Sequence, residues 1–577
     1  MRQHAISTSL VVGLLISILC APLISANNST ISSDTNWSGT IILDSDIIVS
    51  SGSTLTIEPN TMVDGGEGFA IEVYGTLVAE SSYFFSSAQP TAQSSHGQGL
   101  WQGIVIKPGG SATITDVEIQ NTNVGIKSEG TLIIDNLTVR NSYLGVKNYG
   151  TANIEEFHAE LIDYEGIMNS GNLILSSANI SNASSGIQSI GTLEVTNSKF
   201  SQVGTAIDAN SGEVFADNLD LSKVSVGLSS VAGVKFSASN ISGIDVSLLI
   251  DMANSDDFVV SSVDVSGDIL VKSNDASQTK ISNVQFFVIN SGQAPVVEQS
   301  CVGTCIIENI VMDNSVKGIS FIGNGNHMLT NSTINAEQYA IRSTNQASLY
   351  VDNVTVNSQH SGIIIRDSNS HFHGETTIEM SGISAIGLDI LGGTHQFENM
   401  SIVKAYDSGD TTSIGAQFWY TDISLQNLTT ENYSTGLTMR DANLSANFVA
   451  NIGGNSIGTE IIDSYASIHS ISTQYQDSGV ILRENAQLST YQWAAQLHNQ
   501  PLQVGIASVV YALDFTTVNT NPSYSDASGQ GTLYYGENQN LDISCDNSDY
   551  FVMTNVRFTD MSSKPVQAIV NVNTFEF

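Results

Sequence analysis

Positive charge is what this chain has least of. Lys and Arg number 18 against 56 Asp plus Glu, a net charge of −38 over 577 residues. Such a field repels polyanions, so nucleic acid is excluded as a partner and an anionic membrane is a poor one. Proline is scarce at 8 residues while glycine stands at 48, and 13% of residues are charged. That composition suits β-solenoid repeats better than a mixed α/β domain. Helical stripes are missing too: no window holds apolar residues at helical spacing long enough to compete with short alternations. The apolar run Leu10–Leu19 is too short for a comfortable membrane span.

What is present is a period. Between Asn121 and Phe236 a small-plus-aliphatic marker recurs as Gly125-Ile126, Gly145-Val146, Gly166-Ile167, Gly186-Ile187, Ala206-Ile207 and Gly227-Leu228, in steps of 20 or 21. A second small residue keeps the same step at Gly130, Gly150, Gly171, Gly191, Gly212 and Gly233. Fixed self-similarity of this kind means repeat architecture. Within one period, short period-two alternations such as Thr131-Leu132-Ile133-Ile134 and Leu137-Thr138-Val139 alternate with Asn, Asp, Gly and Ser. These read as strands in a wound ribbon whose turns stack in parallel register, because no single turn buries its own apolar face. Leu132, Leu173 and Leu193 are expected to fill one inward column, and Ile134, Ile154, Leu175 and Val195 the next. Asparagine marks the corners. Nine residues before the marker stand Asn136, Asn197, Asn218, Asn309, Asn331, Asn353 and Asn427; four before it stand Asn121, Asn141, Asn182, Asn314 and Asn432. Asn tolerates left-handed backbone and bonds its neighbours, including its own copies in the next turn.

On these residues the chain resembles the right-handed parallel β-helix, or pectin-lyase-like, superfamily, of the exported surface-protein type. The resemblance implies an all-β, right-handed solenoid of about twenty turns. Its hand follows the general chirality of parallel crossovers. Markers blur from Ile244 to Val316 and return at Gly318-Ile319, Ala340-Ile341, Gly362-Ile363, Gly387-Leu388, Gly415-Ala416, Gly436-Leu437, Gly458-Thr459 and Gly479-Val480.

Around the solenoid, residues 1–26 read as a signal peptide, with Arg2 and His4 before the apolar run and Ile24-Ser25-Ala26 as the cleavage site. Leu19 before Cys20 argues against a lipoprotein. The membrane therefore enters only at export, and the protein is expected to be secreted or on the cell surface. Residues 27–50 are expected to cap the open strand edges, residues 51–504 to form the β-helix, and residues 505–577 to form a small β-rich C-terminal module. Val556-Arg557-Phe558 and Lys564 to Val572 in that module resemble the opening strands of an immunoglobulin-like domain. Cys301 and Cys305 read as a disulfide loop, permitted by export. The alternative, half of a metal site, lacks a second Cys-His pair at zinc spacing. Cys545 is left over.

Candidate chemistry centres on Arg366, Asp367, His371, His373 and His395, with His360 and Glu375 nearby. These residue types could contact a glycan or an ion, and His371 and His373, two apart on one expected strand, share a face that could hold a metal. Against this, Arg366-Asp367 recurs as Arg440-Asp441 and Arg483-Glu484 at one marker offset, so the pairs belong to a turn slot and read as exposed ion pairs along one edge. Enzymes of the resembled superfamily combine Asp-bound Ca²⁺ with a basic residue, or paired Asp with His and Arg-x-Lys. Here no Arg-x-Lys occurs, Asp256-Asp257 stands alone, and Ser95-His96-Gly97 lies many turns away. No catalytic residue, resident metal or cofactor is assigned. Ca²⁺ is a candidate ion only as a bridge to an acidic polysaccharide.

Sequons occur at Asn28, Asn136, Asn179, Asn240, Asn331, Asn353, Asn399, Asn427 and Asn443. Export makes them candidate N-glycosylation sites, although the turn column itself generates Asn-x-Thr. Long Ser, Thr and Asn faces suit carbohydrate by hydrogen bonding and equally suit plain solvation. The expected role is a structural or adhesive surface protein touching carbohydrate or other surface proteins. The alternative is a polysaccharide lyase or glycoside hydrolase of the pectin-lyase-like group.

Overall fold

In the computed structural model the chain is an all-β parallel solenoid of about 20 turns, with no helix among the described residues. Described are residues 23–25, 29–88, 101–255, 257–290, 292, 294–406, 409–454, 456–496, 500–504 and 508–518. Beyond these, the strands at 531–534, 540–542, 544–545, 550–553, 557–559 and 569–572 are described by their backbone. Two compact units divide the chain, Met1–Gly267 and Asp268–Phe577.

In the first unit the expected columns form. Leu132 pairs with Ala152, then Leu173, Leu193, Val214 and Phe236, one per coil. Leu132, Leu173 and Leu193 are at most 1% exposed. Burying each such side chain contributes roughly 1.5–3 kcal/mol, and it does so only because a copy lies above and below. Asn121, Asn141 and Asn182 have φ of 55°, 48° and 53°, the left-handed corners that asparagine accepts. Corner side chains bond between coils, as in Asn218 Nδ2 to Asn197 Oδ1 at 2.8 Å. A further ladder, not anticipated, lies inside: Asn148 donates to Asn169 Oδ1 (2.9 Å) and Asn169 to Ser189 Oγ (3.1 Å), all three fully buried. The second small column is steric in origin. A Cβ on Gly150 would lie 2.0 Å from the Gly130 carbonyl oxygen of the adjacent coil.

The ladder starts earlier than expected. Thr30-Ile31 pairs with Ile48-Val49 and Thr35–Trp37 with Leu55–Ile57, all parallel, so residues 30–50 form a coil of the solenoid instead of a separate cap. Leu23–Ser25, inside the expected targeting segment, pairs by backbone with Thr40–Ile42. The rest of residues 1–26, the sequon at Asn28, and Ser95-His96-Gly97 lie outside the described residues.

In the second unit, strands Ser361–Arg366, Ile386–Leu391, Ile414–Trp419, Thr435–Arg440, Ile457–Ile462 and Ser478–Arg483 stack into one face. The inward column runs Ile363, Leu388, Ala416, Leu437, Thr459 and Val480. Thr459 is tolerated there because its hydroxyl accepts from Asn451 Nδ2 at 2.8 Å, and Asn451 Oδ1 accepts from Thr430 at 2.6 Å. Lys404 and Asp410 form a buried ion pair at 2.7 Å, each side chain 2% exposed. Beside them Tyr433 is 1% exposed. Burial, reinforced by the Asp410 charge, pushes the tyrosine pKa well above its ordinary value.

Parallel pairing continues past residue 504. Val509–Val518 stacks on Gln487–Gln496, and Arg557–Thr559 pairs in parallel with Thr516–Val518. This is solenoid stacking, not an immunoglobulin-like opening strand. Gly531–Tyr534 lies between Asn540–Asp542 and Ile569–Val572 in a small antiparallel sheet. Cys301 and Cys305 are disulfide-bonded. They sit in the strand Val297–Ile322 instead of a loop, with both side chains fully buried against Ala276.

Candidate functional site

The face built by the six short strands of the second unit carries two adjacent outward columns. One reads Arg366, Leu391, Trp419, Arg440, Ile462 and Arg483; the other reads Ile364, Asp389, Gln417, Thr438, Glu460 and Ile481. The three arginines therefore share one register column. Their partners differ from those expected. Arg366 pairs across coils with Asp389, donating to its carboxylate and, at 3.0 Å, to its carbonyl oxygen. Arg483 Nε donates to Glu460 Oε1 at 2.9 Å. Among the described residues Arg440 makes no side-chain hydrogen bond or ion pair. Asp367, Asp441 and Glu484 occupy left-handed corners at φ 48°, 49° and 54°, and among the described residues none forms an ion pair with the neighbouring arginine.

Between these columns lies a recess of about 450 Å³ lined by Gln417, Trp419, Tyr420, Thr438, Arg440 and Glu460, among others. Its polar side chains are pre-positioned. Gln417 Nε2 donates to Asp389 Oδ1 at 3.1 Å, and the Thr438 hydroxyl reaches Glu460 Oε2 at 3.4 Å. Trp419 is 39% and Tyr420 60% exposed, so two aromatic faces stand at the rim. Tyr420 holds a left-handed corner (φ 53°) and donates its backbone N–H to the Arg440 carbonyl at 3.1 Å. A larger depression of about 970 Å³ runs past Asn314, Asn335, Asn357 and Glu379, without an aromatic lining.

The histidines separate into two kinds. His395 is fully buried. Its Nε2–H donates to the Gly392 carbonyl (2.9 Å), its Nδ1 accepts from Ser370 (2.8 Å), and burial lowers its pKa. It cannot contact a surface ligand, contrary to the expectation. His371 and His373 do point outward together from Asn369–Met380, on either side of buried Phe372. Glu398, from the next coil, joins them: His373 Nδ1 lies 2.8 Å from Glu398 Oε1. The sequence offered no signal for Glu398, because it enters by stacking from 25 residues away. Asp389, Gln417, Trp419, Tyr420 and Glu460 were also missed. No sequence signal singled them out, because the same marker offsets already vary in the first unit, from Lys127, Lys147 and Gln188 in one column to Glu129, Tyr149 and Ile190 in the other.

Of the sequons, Asn179, Asn240, Asn331, Asn353, Asn399, Asn427 and Asn443 are exposed and Asn136 is half-buried. Several already serve the fold. Asn427 donates to Asn399 (2.7 Å), Asn240 to Asp217 (2.7 Å), Asn443 to Asp422 (2.7 Å) and Asn136 to Asp116 (3.0 Å).

Neither the family models nor the curated proteins match this chain.

Proposed function

We propose that this chain is an exported structural or adhesive protein of the cell surface or secreted space, and that its second unit holds carbohydrate. The observation that carries the reading is the recess at Trp419 and Tyr420. An exposed indole and phenol offer flat apolar faces to a sugar ring, while exposed Arg440 and half-buried Glu460 offer directed hydrogen bonds, with the buried Gln417 and Thr438 beneath them. Arg440 is also the one cation of this face without a protein partner among the described residues, which favours a glycan bearing a carboxylate or sulfate.

An enzymatic reading is weaker on geometry. The carboxylates of this face, Asp389 and Glu460, are three strand steps apart, roughly 14 Å at about 4.8 Å per step. Glycosidase carboxylates stand about 5–9.5 Å apart across the scissile bond. Each is also occupied by an arginine.

The test is binding of the purified chain to a panel of neutral and acidic polysaccharides, with cleavage products assayed in parallel. Retention on at least one polysaccharide, weakened tenfold or more by Trp419→Ala or Arg440→Ala, is the expected result. Retention indifferent to both substitutions removes the recess from the reading, and bond cleavage moves the protein to the enzymatic class.

A further inference from the structure

A three-residue cluster joins the outward face of Asn369–Met380 to Glu398 of the adjacent strand Thr394–Lys404. His371 and His373 are exposed and Glu398 is half-exposed. One ligand atom from each lies within 4.8 Å of both others. The arrangement depends on a local irregularity. Phe372 pairs with Phe397, but Glu375 pairs with Asn399, so one extra residue is inserted after Phe372. The same insertion shows against the preceding coil, where Asp352 pairs with His373 but Val354 with Thr376. The inserted residue is Gly374, at φ +65°, a conformation that suits glycine at a β-bulge. A Cβ there would also meet Asp352 Oδ1 and Asn353 Oδ1 at 2.6 Å.

The bulge has a chemical consequence. It points the Gly374 N–H at Glu398 Oε2, 3.0 Å away. That hydrogen bond and the one with His373 hold the Glu398 carboxyl below its ordinary pKa. These two hydrogen bonds place Glu398 Oε1 against His373. Tyr350, from the preceding coil, packs its ring edge-on against His371 (5.6 Å between centroids) and face-on against His373 (6.5 Å). No lysine or arginine forms an ion pair with Glu398 among the described residues, and the net charge of −38 raises the local concentration of cations.

We infer that His371, His373 and Glu398 form a binding site for a divalent transition metal of the zinc type, with at least one coordination position open to solvent. Two imidazoles and a carboxylate are a common Zn²⁺ donor set, and they are unsuited to Ca²⁺, which takes six to eight oxygens. Bonds of about 2.0–2.2 Å at tetrahedral angles put donor atoms about 3.3 Å apart. Donors now within 4.8 Å reach that by rotation of exposed side chains, without movement of the strands. A metal on His373 Nδ1 takes the place of its hydrogen bond to Glu398. The inference rests on this cluster alone and is independent of the carbohydrate reading.

The experiment is isothermal titration of the untagged full chain with ZnCl₂, in excess CaCl₂ so that scattered surface carboxylates are already occupied. One Zn²⁺ per chain is expected. Affinity should fall tenfold or more in His373→Ala and in Glu398→Gln, and should be unchanged in His469→Ala, which removes another exposed histidine of the same unit. Thermal melting of each variant without metal should match the parent, since all three side chains are at the surface. Co²⁺ in place of Zn²⁺ should give visible absorption bands that Glu398→Gln shifts. No saturable binding below millimolar Zn²⁺, or equal binding by a His371→Ala/His373→Ala double variant, overturns the site.

Discussion

Replacing Lys404 by Met tests how the second unit tolerates charge in its interior. The Lys404 ammonium lies 2.7 Å from Asp410 Oδ2, with both side chains 2% exposed. Asp410 Oδ1 also accepts the backbone N–H groups of Thr412 and Ser413, each at 3.1 Å. Burial alone would raise the Asp410 pKa. The hydrogen bonds from Lys404, Ser413 and Thr412, with the charge of Lys404, outweigh it and hold the group at about 2, against an ordinary 3.8. A depressed folded pKa contributes stability above the unfolded value and loses it as pH falls through the folded one. The pair's share, about 2 kcal/mol, should therefore vanish between pH 4 and pH 2. Lys404→Met removes the counter-charge and leaves the carboxylate buried, at a cost of about 3–5 kcal/mol. Lys404→Met/Asp410→Asn should recover most of that, because the uncharged amide needs no counter-ion and its Oδ1 still accepts the Thr412 and Ser413 N–H groups. A solenoid unfolds in parts, so the readout is local: hydrogen exchange of the amides of Thr412 and Ser413. Exchange should quicken by roughly a hundredfold to a few thousandfold in Lys404→Met and return toward the parent rate in the double variant. The pH effect is read as the difference between parent and double variant, which cancels the other carboxylates. An exchange rate within threefold of the parent in Lys404→Met, or a difference that stays flat from pH 4 to pH 2, would refute the argument.

Gly150→Ala should destabilise the surrounding coils by about 2–4 kcal/mol. Its Cβ would sit 2.0 Å from the Gly130 oxygen, so the coils must part and weaken two or three hydrogen bonds there, including Thr151 N–H to that oxygen; unchanged amide exchange at Tyr149 and Thr151 would contradict it. Mass spectrometry of non-reduced peptides should find Cys301 joined to Cys305. Because both sulfurs are buried, alkylation of the native chain under mild reductant should be slower than in urea; equal rates would place the bridge at the surface.

The coil, its corners and its inward columns were legible in the sequence, because each is a property of one residue at one offset. Asn121, Asn141, Asn182, Asn314 and Asn432, read as left-handed corners, all have positive φ. Leu132, Ile134 and Val139, read as inward, are at most 1% exposed. Strand alternation and asparagine chemistry are local, and the repeat states them many times over. The sequence also marked His371 and His373 as sharing a face, since two residues apart on a strand always do.

Tertiary structure alone decided who meets whom between coils. Arg366 was read with its neighbour Asp367, yet it pairs with Asp389, 23 residues on, because stacking sets the strand Ile386–Leu391 beside Ser361–Arg366. Glu398 reaches His373 only because the coils around Gly374 are offset by one inserted residue. His395, grouped with the other histidines by sequence, faces inward by the parity of its strand. Cross-coil neighbours are set by the sum of all strand lengths, bulges and corners between them. A change of one residue in that sum moves a side chain to the opposite face, so the partners of a charged group follow from the stacked register and not from its position in the repeat.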